Sequence, residues 1–173
     1  MNPVIAKSEQ VETWADSRVA KADEAILDIR RSGSVRMRSR EAVSKSRVRA
    51  TGIYLSSKMC RIIQCESQDE LNAFRLLDAD STVTAYFERP LTIRYLQDAQ
   101  IHLHHPSVLV ERGHTRELWE IKSASEARRP FVAARTRVLQ SALPFWGYEY
   151  RLILTKDLVP KARLTNALTY CGG

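Results

Sequence analysis

The 173-residue sequence has only three cysteines and no long apolar run. Cys60, Cys65 and Cys171 are odd in number and lack the close paired spacing of zinc sites, so reduced intracellular thiols are expected. The first residues contain no apolar stretch typical of a secretory signal, and no segment approaches the roughly 20 apolar residues that cross a membrane. We therefore expect a protein of the bacterial cytoplasm that makes no membrane contact.

Acidic residues are the scarcer charge, with 20 Asp and Glu against 27 Lys and Arg, which gives a formal net charge of +7. The excess is concentrated between Arg30 and Arg61, where ten basic residues accompany a single acid, Glu41. Such a segment attracts polyanions, because neutralising phosphates releases condensed counterions. A solvated basic tail without a specific partner is the alternative.

The composition, 44% hydrophobic and 27% charged, is ordinary for a globular protein and fits one domain with a tail. Residues 1 to about 30 have a loose helical spacing of apolar residues, and the Ser/Arg-rich residues 31–50 resemble a linker or a DNA-facing arm. We expect an N-terminal helix and basic arm over residues 1–50, and a folded domain over residues 51–173 that begins at Gly52.

Alternating helix and strand signals indicate an α/β fold with a mixed central sheet and helices on its faces. Ser67 followed by Glu70 is the spacing of a capping box and predicts a helix over residues 68–77, ended by residues 78–80. A helix is also predicted over 131–143, stopped by Pro144. Strands are expected at 59–65, 83–87, 91–96, 101–103, 108–110, 117–121 and 150–154, most of them in an antiparallel meander.

Three charged residues fit the chemistry of phosphodiester hydrolysis, which needs carboxylates to hold a divalent metal ion and a cation or base near the attacking water. Glu70 lies on the first helix, and Glu120 and Lys122 end a strand, where alternation places both on one face with Ile121 pointing into the core. Each has another interpretation: Glu70 fits helix capping alone, and Glu120 with Lys122 fits a charge pair at a strand end.

The flanking residues make the pattern more specific over about residues 52–160. They are Tyr54-x-Ser-Ser-Lys-x-x-Arg61, Glu66-Ser67-x-x-Glu70-Leu71, Val83-x-x-Tyr86-x-x-Arg89-Pro90-Leu91-x-Ile93-x-Tyr95, Pro106-x-x-Leu109-Val110-Glu111, Glu120-Ile121-Lys122 and Gly147-Tyr148-x-Tyr150-Arg151-Leu152-Ile153-Leu154-Thr155. This series resembles the TnsA-type endonucleases that cut transposon ends, within the PD-(D/E)XK nucleases.

The resemblance implies a restriction-endonuclease-like fold and DNA cleavage with Mg²⁺ or Mn²⁺. It assigns catalysis to the positions of Glu70, Ser107, Glu120 and Lys122, and the metal to Glu70, Glu120 and Ile121. A TnsB-like transposase and an ATPase regulator are the implied partners, and a homodimer is left open. The residues expected to contact DNA are the basic side chains Lys58 and Arg61, which precede the helix of Glu70, and Arg47 and Arg49 in the arm.

Ser107 departs from the family pattern, because the family has Pro-Asp where this chain has Pro106-Ser107. A neutral hydroxyl is a poor ligand for a hard divalent cation. Three explanations are open: the site is inactive and the fold binds DNA or a partner, another residue supplies the ligand, or Ser107 is an inactivating change in this particular chain. The candidate substitute ligands are His104, His105 and Glu111.

Three functions therefore follow from the sequence. The first is an endonuclease subunit of a transposase, in which Lys122 orients the attacking water. The second is a catalytically inactive nuclease-fold module that binds DNA or the transposase, and the third is a basic nucleic-acid-binding domain that acts through the Arg30–Arg61 segment. The three tryptophans, Trp14, Trp119 and Trp146, are expected to be core residues or partner anchors rather than base-stacking platforms.

Overall fold

The computed structural model describes residues 24–31 and 52–158, which form a mixed α/β arrangement. The elements of this part of the chain are β1 (Ile26–Arg31), β2 (Gly52–Ser56), β3 (Arg61–Cys65), α1 (Gln68–Ala79), β4 (Ala85–Glu88), β5 (Leu91–Gln97), β6 (Gln100–His104), β7 (Val108–Arg112), β8 (Thr115–Lys122), α2 (Ala124–Ala127), α3 (Pro130–Ala142), a 3-10 turn (Leu143–Trp146) and β9 (Glu149–Leu154). Both predicted helices between residues 68 and 143 are confirmed, as are the strands from residue 59 onward, with ends shifted by a few residues.

The strands are divided among three sheets. The largest has the order β4-β7-β8-β9 and is mixed, because β9 runs parallel to β8 whereas the other pairs are antiparallel. The predicted meander is interrupted: β5 and β6 leave this sheet and pair with β1. Arg89, with φ 43°, and the following Pro90 separate β4 from β5, and this bend directs the chain out of the four-stranded sheet.

Residues 26–31 form a strand, so the predicted helix is wrong for this segment. β1 pairs with β5 along its length, and Ile26 is buried in the core. Pairing and burial of β-branched residues outweigh a loose helical spacing, because local propensity is weak relative to tertiary packing. The predicted boundary at residue 50 thus falls between two strands, and residues 1–23 and 32–51, which carry the rest of the predicted helix and arm, lie outside the described residues.

The four-stranded sheet is covered on both faces. Period-two alternation along β7 and β8 directs Val108, Val110, Trp119 and Ile121 toward one core with Phe74 of α1. The intervening residues point to a second core that contains residues of β5, α3 and β9, and this set includes Leu91, Ile93, Leu109, Leu118, Leu139 and Tyr150. β8 is therefore buried on both faces, and its two glutamates, Glu117 and Glu120, are buried with it.

Ser67 caps α1 as the sequence predicts, since its Oγ accepts a hydrogen bond of 3.1 Å from the backbone N–H of Glu70. The reciprocal half of the capping box differs. The carboxylate of Glu70 accepts from the backbone N–H of Glu66 at 2.6 Å, one residue before the cap. The helix ends at Ala79 with Asp80 as its C-cap, within the predicted stop.

Replacing Ser67 by alanine is expected to reduce the free energy of unfolding by about 1 kcal/mol, because one N–H group at the start of α1 loses its acceptor. Urea unfolding monitored by circular dichroism measures the change. Ser141→Ala on the exposed side of α3 is the matched control, with an expected change within about 0.5 kcal/mol. Equal losses in the two variants would contradict a capping role for Ser67.

Asp78 connects α1 to the β2–β3 hairpin. Its carboxylate accepts hydrogen bonds from the hydroxyls of Tyr54, Ser56 and Tyr86 at 2.9, 2.5 and 2.7 Å. Tyr86 also stacks on Phe74, with ring centroids 5.6 Å apart. These contacts hold the start of the hairpin against the C-terminal end of α1.

Among the described residues, no helix combines the length and apolar character required to cross a bilayer.

Candidate active-site cleft

A polar cleft of about 530 Å³ lies where the start of α1, the start of β7, the end of β8 and the helix α3 meet. All four residues predicted to be catalytic line it: Glu70, Ser107, Glu120 and Lys122. Ile121 lines it as well. Other charged or ionisable lining residues are Glu66, Asp69, Arg89, His104, His105, Glu126 and Arg135. A larger cavity of about 760 Å³ lies beside Leu158, and none of the predicted catalytic residues lines it.

The register of β7 and β8 brings Ser107 and Glu120 together. Val108 is opposite Trp119, and extending this antiparallel register by one residue places Ser107 opposite Glu120. Alternation along β8 then puts Lys122 on the same face as Glu120, as predicted. The Nζ of Lys122 lies 3.3 Å from Oε1 of Glu120, so the two residues form an ion pair at the mouth of the cleft.

Three hydrogen bonds to backbone groups hold Ser107 in place. Its N–H donates to the carbonyl of Trp119 at 2.8 Å, and its carbonyl accepts from the N–H of Arg89 at 2.9 Å. The hydroxyl Oγ accepts from the N–H of Ile121 at 3.3 Å. The side chain therefore completes the hydrogen bonding at the start of β7 and adds no negative charge to the cleft.

Glu70 shares one guanidinium with Glu66. Nη1 of Arg89 lies 3.1 Å from the carboxylate of Glu66 and 3.5 Å from Oε1 of Glu70. Burial raises the pKa of Glu70 above its ordinary value, against the opposing effects of the hydrogen bond from Glu66 and the charge of Arg89. Arg89 is itself nearly buried, so this charge belongs to the interior of the site.

Glu120 is the most enclosed acid in the cleft, with 5% of its surface exposed. Oε1 lies 3.2 Å from Nη2 of Arg135 and 3.3 Å from Nζ of Lys122. Burial raises the pKa of Glu120, and the charges of Lys122 and Arg135 oppose this increase. One oxygen of this carboxylate therefore lies beside two cations.

Arg135 lines the cleft, and the sequence analysis did not predict it there. In α3 the buried positions are Val132, Thr136, Leu139 and Ala142, and Arg135 lies three residues after Val132, on the same helical stripe. An arginine at a core-facing helical position is expensive without a partner. A charged residue among these buried positions is the feature of the sequence that indicates a buried partner for Arg135. In the structure that partner is Glu120.

His104, one proposed substitute ligand, is buried in the cleft wall. Its Nε2 lies 3.0 Å from the hydroxyl of Tyr150 and 3.6 Å from Oε2 of Glu120. Burial lowers the pKa of His104 well below its ordinary value of 6.5, and the charges of Arg135, His105 and Lys122 act in the same direction. His104 is therefore neutral, and its contact with Glu120 is not an ion pair.

The other two substitute ligands differ in position. His105 lines the cleft, and its Nδ1 lies 3.0 Å from Oγ1 of Thr92. Glu111 is at the far end of β7, opposite Arg116, and does not line the cleft. The structure thus brings two histidines, but not Glu111, into the cleft that contains Ser107.

The side chains present do not fit the divalent metal site that the resemblance implies. In the described ranges 24–31 and 52–158, no group of three or more His, Cys, Asp or Glu is placed to hold a metal ion. Mg²⁺ requires several oxygen ligands in octahedral geometry. Glu70 and Glu120 are both paired with cations, Ser107 offers a hydroxyl, and the Ile121 side chain is buried in the core.

Two of the residues predicted to contact DNA are engaged within the fold. Nζ of Lys58 donates to the carbonyl of Leu77 at 2.8 Å, near the C-terminal end of α1. Arg61 forms a bidentate ion pair with the buried Glu88, at 3.1 and 2.6 Å. Neither side chain lines the cleft. The other two, Arg47 and Arg49, lie outside the described residues.

The two tryptophans in the described part of the chain differ in how exposed they are. Trp119 is buried in the first core, as predicted, and its Nε1 donates to the carboxylate of Glu117 at 2.8 Å. Trp146 is 41% exposed in the 3-10 turn and is not a core residue. Trp14 lies outside the described residues.

No protein-family model and no curated protein sequence matches this chain.

Proposed function

We propose that this chain is a restriction-endonuclease-like subunit of a transposition complex that binds DNA without cutting it. The set of residues that line the cleft is the observation that carries the proposal. It contains the positions of Glu70, Ser107, Glu120 and Lys122 in one place, but Glu70 and Glu120 are paired with cations, and Ser107 stands where the family pattern has an aspartate.

The arrangement of the strands supports a nuclease-like relationship. In a PD-(D/E)XK site the acids come from a helix, a strand start and the end of the neighbouring strand. Here Glu70 is in the first turn of α1, Ser107 immediately precedes β7, and Glu120 and Lys122 are near the end of β8. The mixed four-stranded sheet brings these three elements to a single cleft.

DNA binding is supported by the charge of the chain rather than by the cleft. The lining contains five carboxylates, from Glu66, Asp69, Glu70, Glu120 and Glu126, against three side chains that are cationic at neutral pH, Arg89, Lys122 and Arg135. Because this lining does not favour a phosphate, we assign DNA contact to the basic segment around Arg47 and Arg49, which the sequence predicts to face DNA. A TnsB-like transposase is the partner that the resemblance suggests.

The proposal predicts binding without cleavage. Incubated with supercoiled plasmid and Mg²⁺ or Mn²⁺, alone or with the transposase, the wild-type protein should nick no more than its Lys122→Ala variant. Nicking by the wild type that disappears in Lys122→Ala would show that the site cleaves and would overturn the proposal.

Binding is tested by fluorescence anisotropy with a labelled duplex at two salt concentrations. Arg47→Ala/Arg49→Ala should weaken binding about tenfold and reduce the slope against log salt concentration by about 2, because two phosphate contacts are lost. Arg94→Ala/Arg137→Ala removes the same charge from exposed sites outside the arm and should weaken binding less than twofold. Equal weakening by both pairs would show that the arm has no special role.

An active endonuclease is the second candidate, and the co-location of all four predicted catalytic positions favours it. In that case Lys122 orients a water molecule beside Glu120. The nicking comparison above separates the two candidates directly, since only an active enzyme loses a signal when Lys122 is removed.

A further inference from the structure

Two arginine side chains are enclosed in the cleft, although its acidic positions resemble those of a metal-dependent site. Arg135 enters from the buried face of α3, and its side chain is only 12% exposed. Arg89 enters between β4 and β5, and its side chain is 9% exposed. Both guanidinium groups are therefore enclosed by the protein. Arg135 lies against Glu120, and Arg89 lies against Glu66 and Glu70.

We propose that Arg135 takes the place of a divalent cation at Glu120, and that Arg89 does so at Glu70, which makes the cleft an ion-pair network that excludes metal. The proposed function underlies this inference, because it is the nuclease-like relationship that identifies Glu70 and Glu120 as former metal ligands.

The geometry at Glu120 supports the exclusion. The two cations approach the same oxygen, Oε1, at 3.2 and 3.3 Å. A metal ion bound to that oxygen at about 2.1 Å would place two further positive charges beside theirs. At such distances the two side chains repel the metal ion, and this repulsion opposes its attraction to the carboxylates of the cleft.

Arg135 cannot easily withdraw. It is at a core-facing position of α3, between Val132 and Leu139, and its surroundings include the buried Glu120 and Tyr150. Within the part of the chain that the structure describes, its Nε is buried without a hydrogen-bond partner. An alternative placement of the side chain would need room in a packed interior. The guanidinium is thus a built-in counter-charge rather than a surface residue that folds over the cleft.

Arg89 completes the network on the other side. Its Nη1 lies between the carboxylates of Glu66 and Glu70, and among residues 24–31 and 52–158 that atom has no hydrogen bond of good geometry. The interaction is therefore mainly electrostatic. With Arg89 in this position, adding only an aspartate at residue 107 leaves both former ligands occupied by cations.

Binding of Mn²⁺, measured from the loss of the free-ion signal in electron paramagnetic resonance, tests the proposal. Wild type and Ser107→Asp should bind weakly, whereas Ser107→Asp/Arg135→Gln should bind at least tenfold more tightly than Ser107→Asp. The control Ser107→Asp/Arg137→Gln removes an exposed arginine from the same helix and should bind as Ser107→Asp does. Tight binding by Ser107→Asp alone, or no gain in the Arg135 double variant, would overturn the proposal.

A second measurement needs no substitution and remains decisive if a double variant fails to fold. The melting temperature of the wild type should be unchanged, within about 1 °C, between a chelator and millimolar Mn²⁺, since ligand that binds the native state stabilises it. A rise of several degrees would overturn the exclusion of metal. Wild type that binds Mn²⁺ but does not nick DNA would contradict this inference alone, whereas nicking by the wild type would contradict the proposed function.

Discussion

Replacing Glu120 by alanine is expected to lower the free energy of unfolding by about 3–5 kcal/mol at pH 7. Glu120 is the counter-charge of Arg135, whose side chain is largely buried, and of Lys122. Removing it leaves a buried guanidinium without compensation and leaves Lys122 as a like charge nearby. Urea unfolding of the wild type and of the variant measures the difference.

The direction of the change in the free energy of unfolding distinguishes a metal site from an ion-pair network. In a site built to bind metal, the empty cluster of acids is repulsive, and removing one acid is expected to leave the stability unchanged or to increase it. In the ion-pair network proposed here, the same change destabilises. Glu149→Ala is the control: this glutamate also pairs with an arginine, Arg151, but it is 53% exposed, so the expected loss is below about 1 kcal/mol. A stabilised Glu120→Ala variant would refute the network.

The stability of the protein is expected to fall as the pH decreases below 6.5, and His104 is expected to cause a large part of the fall. The folded state keeps His104 neutral, since its pKa is well below 6.5, whereas the unfolded chain protonates it near the ordinary value. Because the unfolded state then binds more protons, the free energy of unfolding decreases as the pH falls, by up to about 1.4 kcal/mol per pH unit.

The contribution of His104 is isolated by substitution. Between pH 6.5 and 5.5 the wild type should lose about 1 kcal/mol more than His104→Gln, because the variant has no proton to gain at this position. His114→Gln removes an exposed histidine from the turn between β7 and β8, and its pH dependence should match that of the wild type. The same slope in wild type and His104→Gln would show that His104 is not the group that titrates.

Glu120, in the same cluster, has the opposite effect on the pH dependence of the free energy of unfolding. Its pKa is raised by burial, so the folded state takes up a proton before the unfolded chain does as the pH falls. This contribution to stability is fully present below the ordinary carboxyl pKa and is lost as the pH rises through the raised one. The comparison with His104→Gln is therefore made from pH 6.5 to 5.5, where the histidine of the unfolded chain titrates.

Much of the fold could be predicted from local signals. Ser67 and Glu70 mark the start of α1, because capping depends on residues three apart, and the alternation of Glu120, Ile121 and Lys122 identifies the two faces of β8. β1 was predicted as a helix because its apolar spacing is ambiguous, and pairing with β5, more than 60 residues away, decides it. Local spacing cannot report a partner so distant in sequence.

Residue types and their spacing are enough to single out Glu70, Glu120 and Lys122 as candidates for one site, and Ser107 as a departure from the pattern that they resemble. The packing of the fold sets what surrounds these residues. Arg135 is 15 residues after Glu120, and Arg89 is 19 residues after Glu70, so their pairing depends on how α3 and the β4–β5 bend pack against the sheet. Electrostatic interactions act through space at distances of a few ångströms, and therefore charges that are remote along the chain set the chemistry of the cleft.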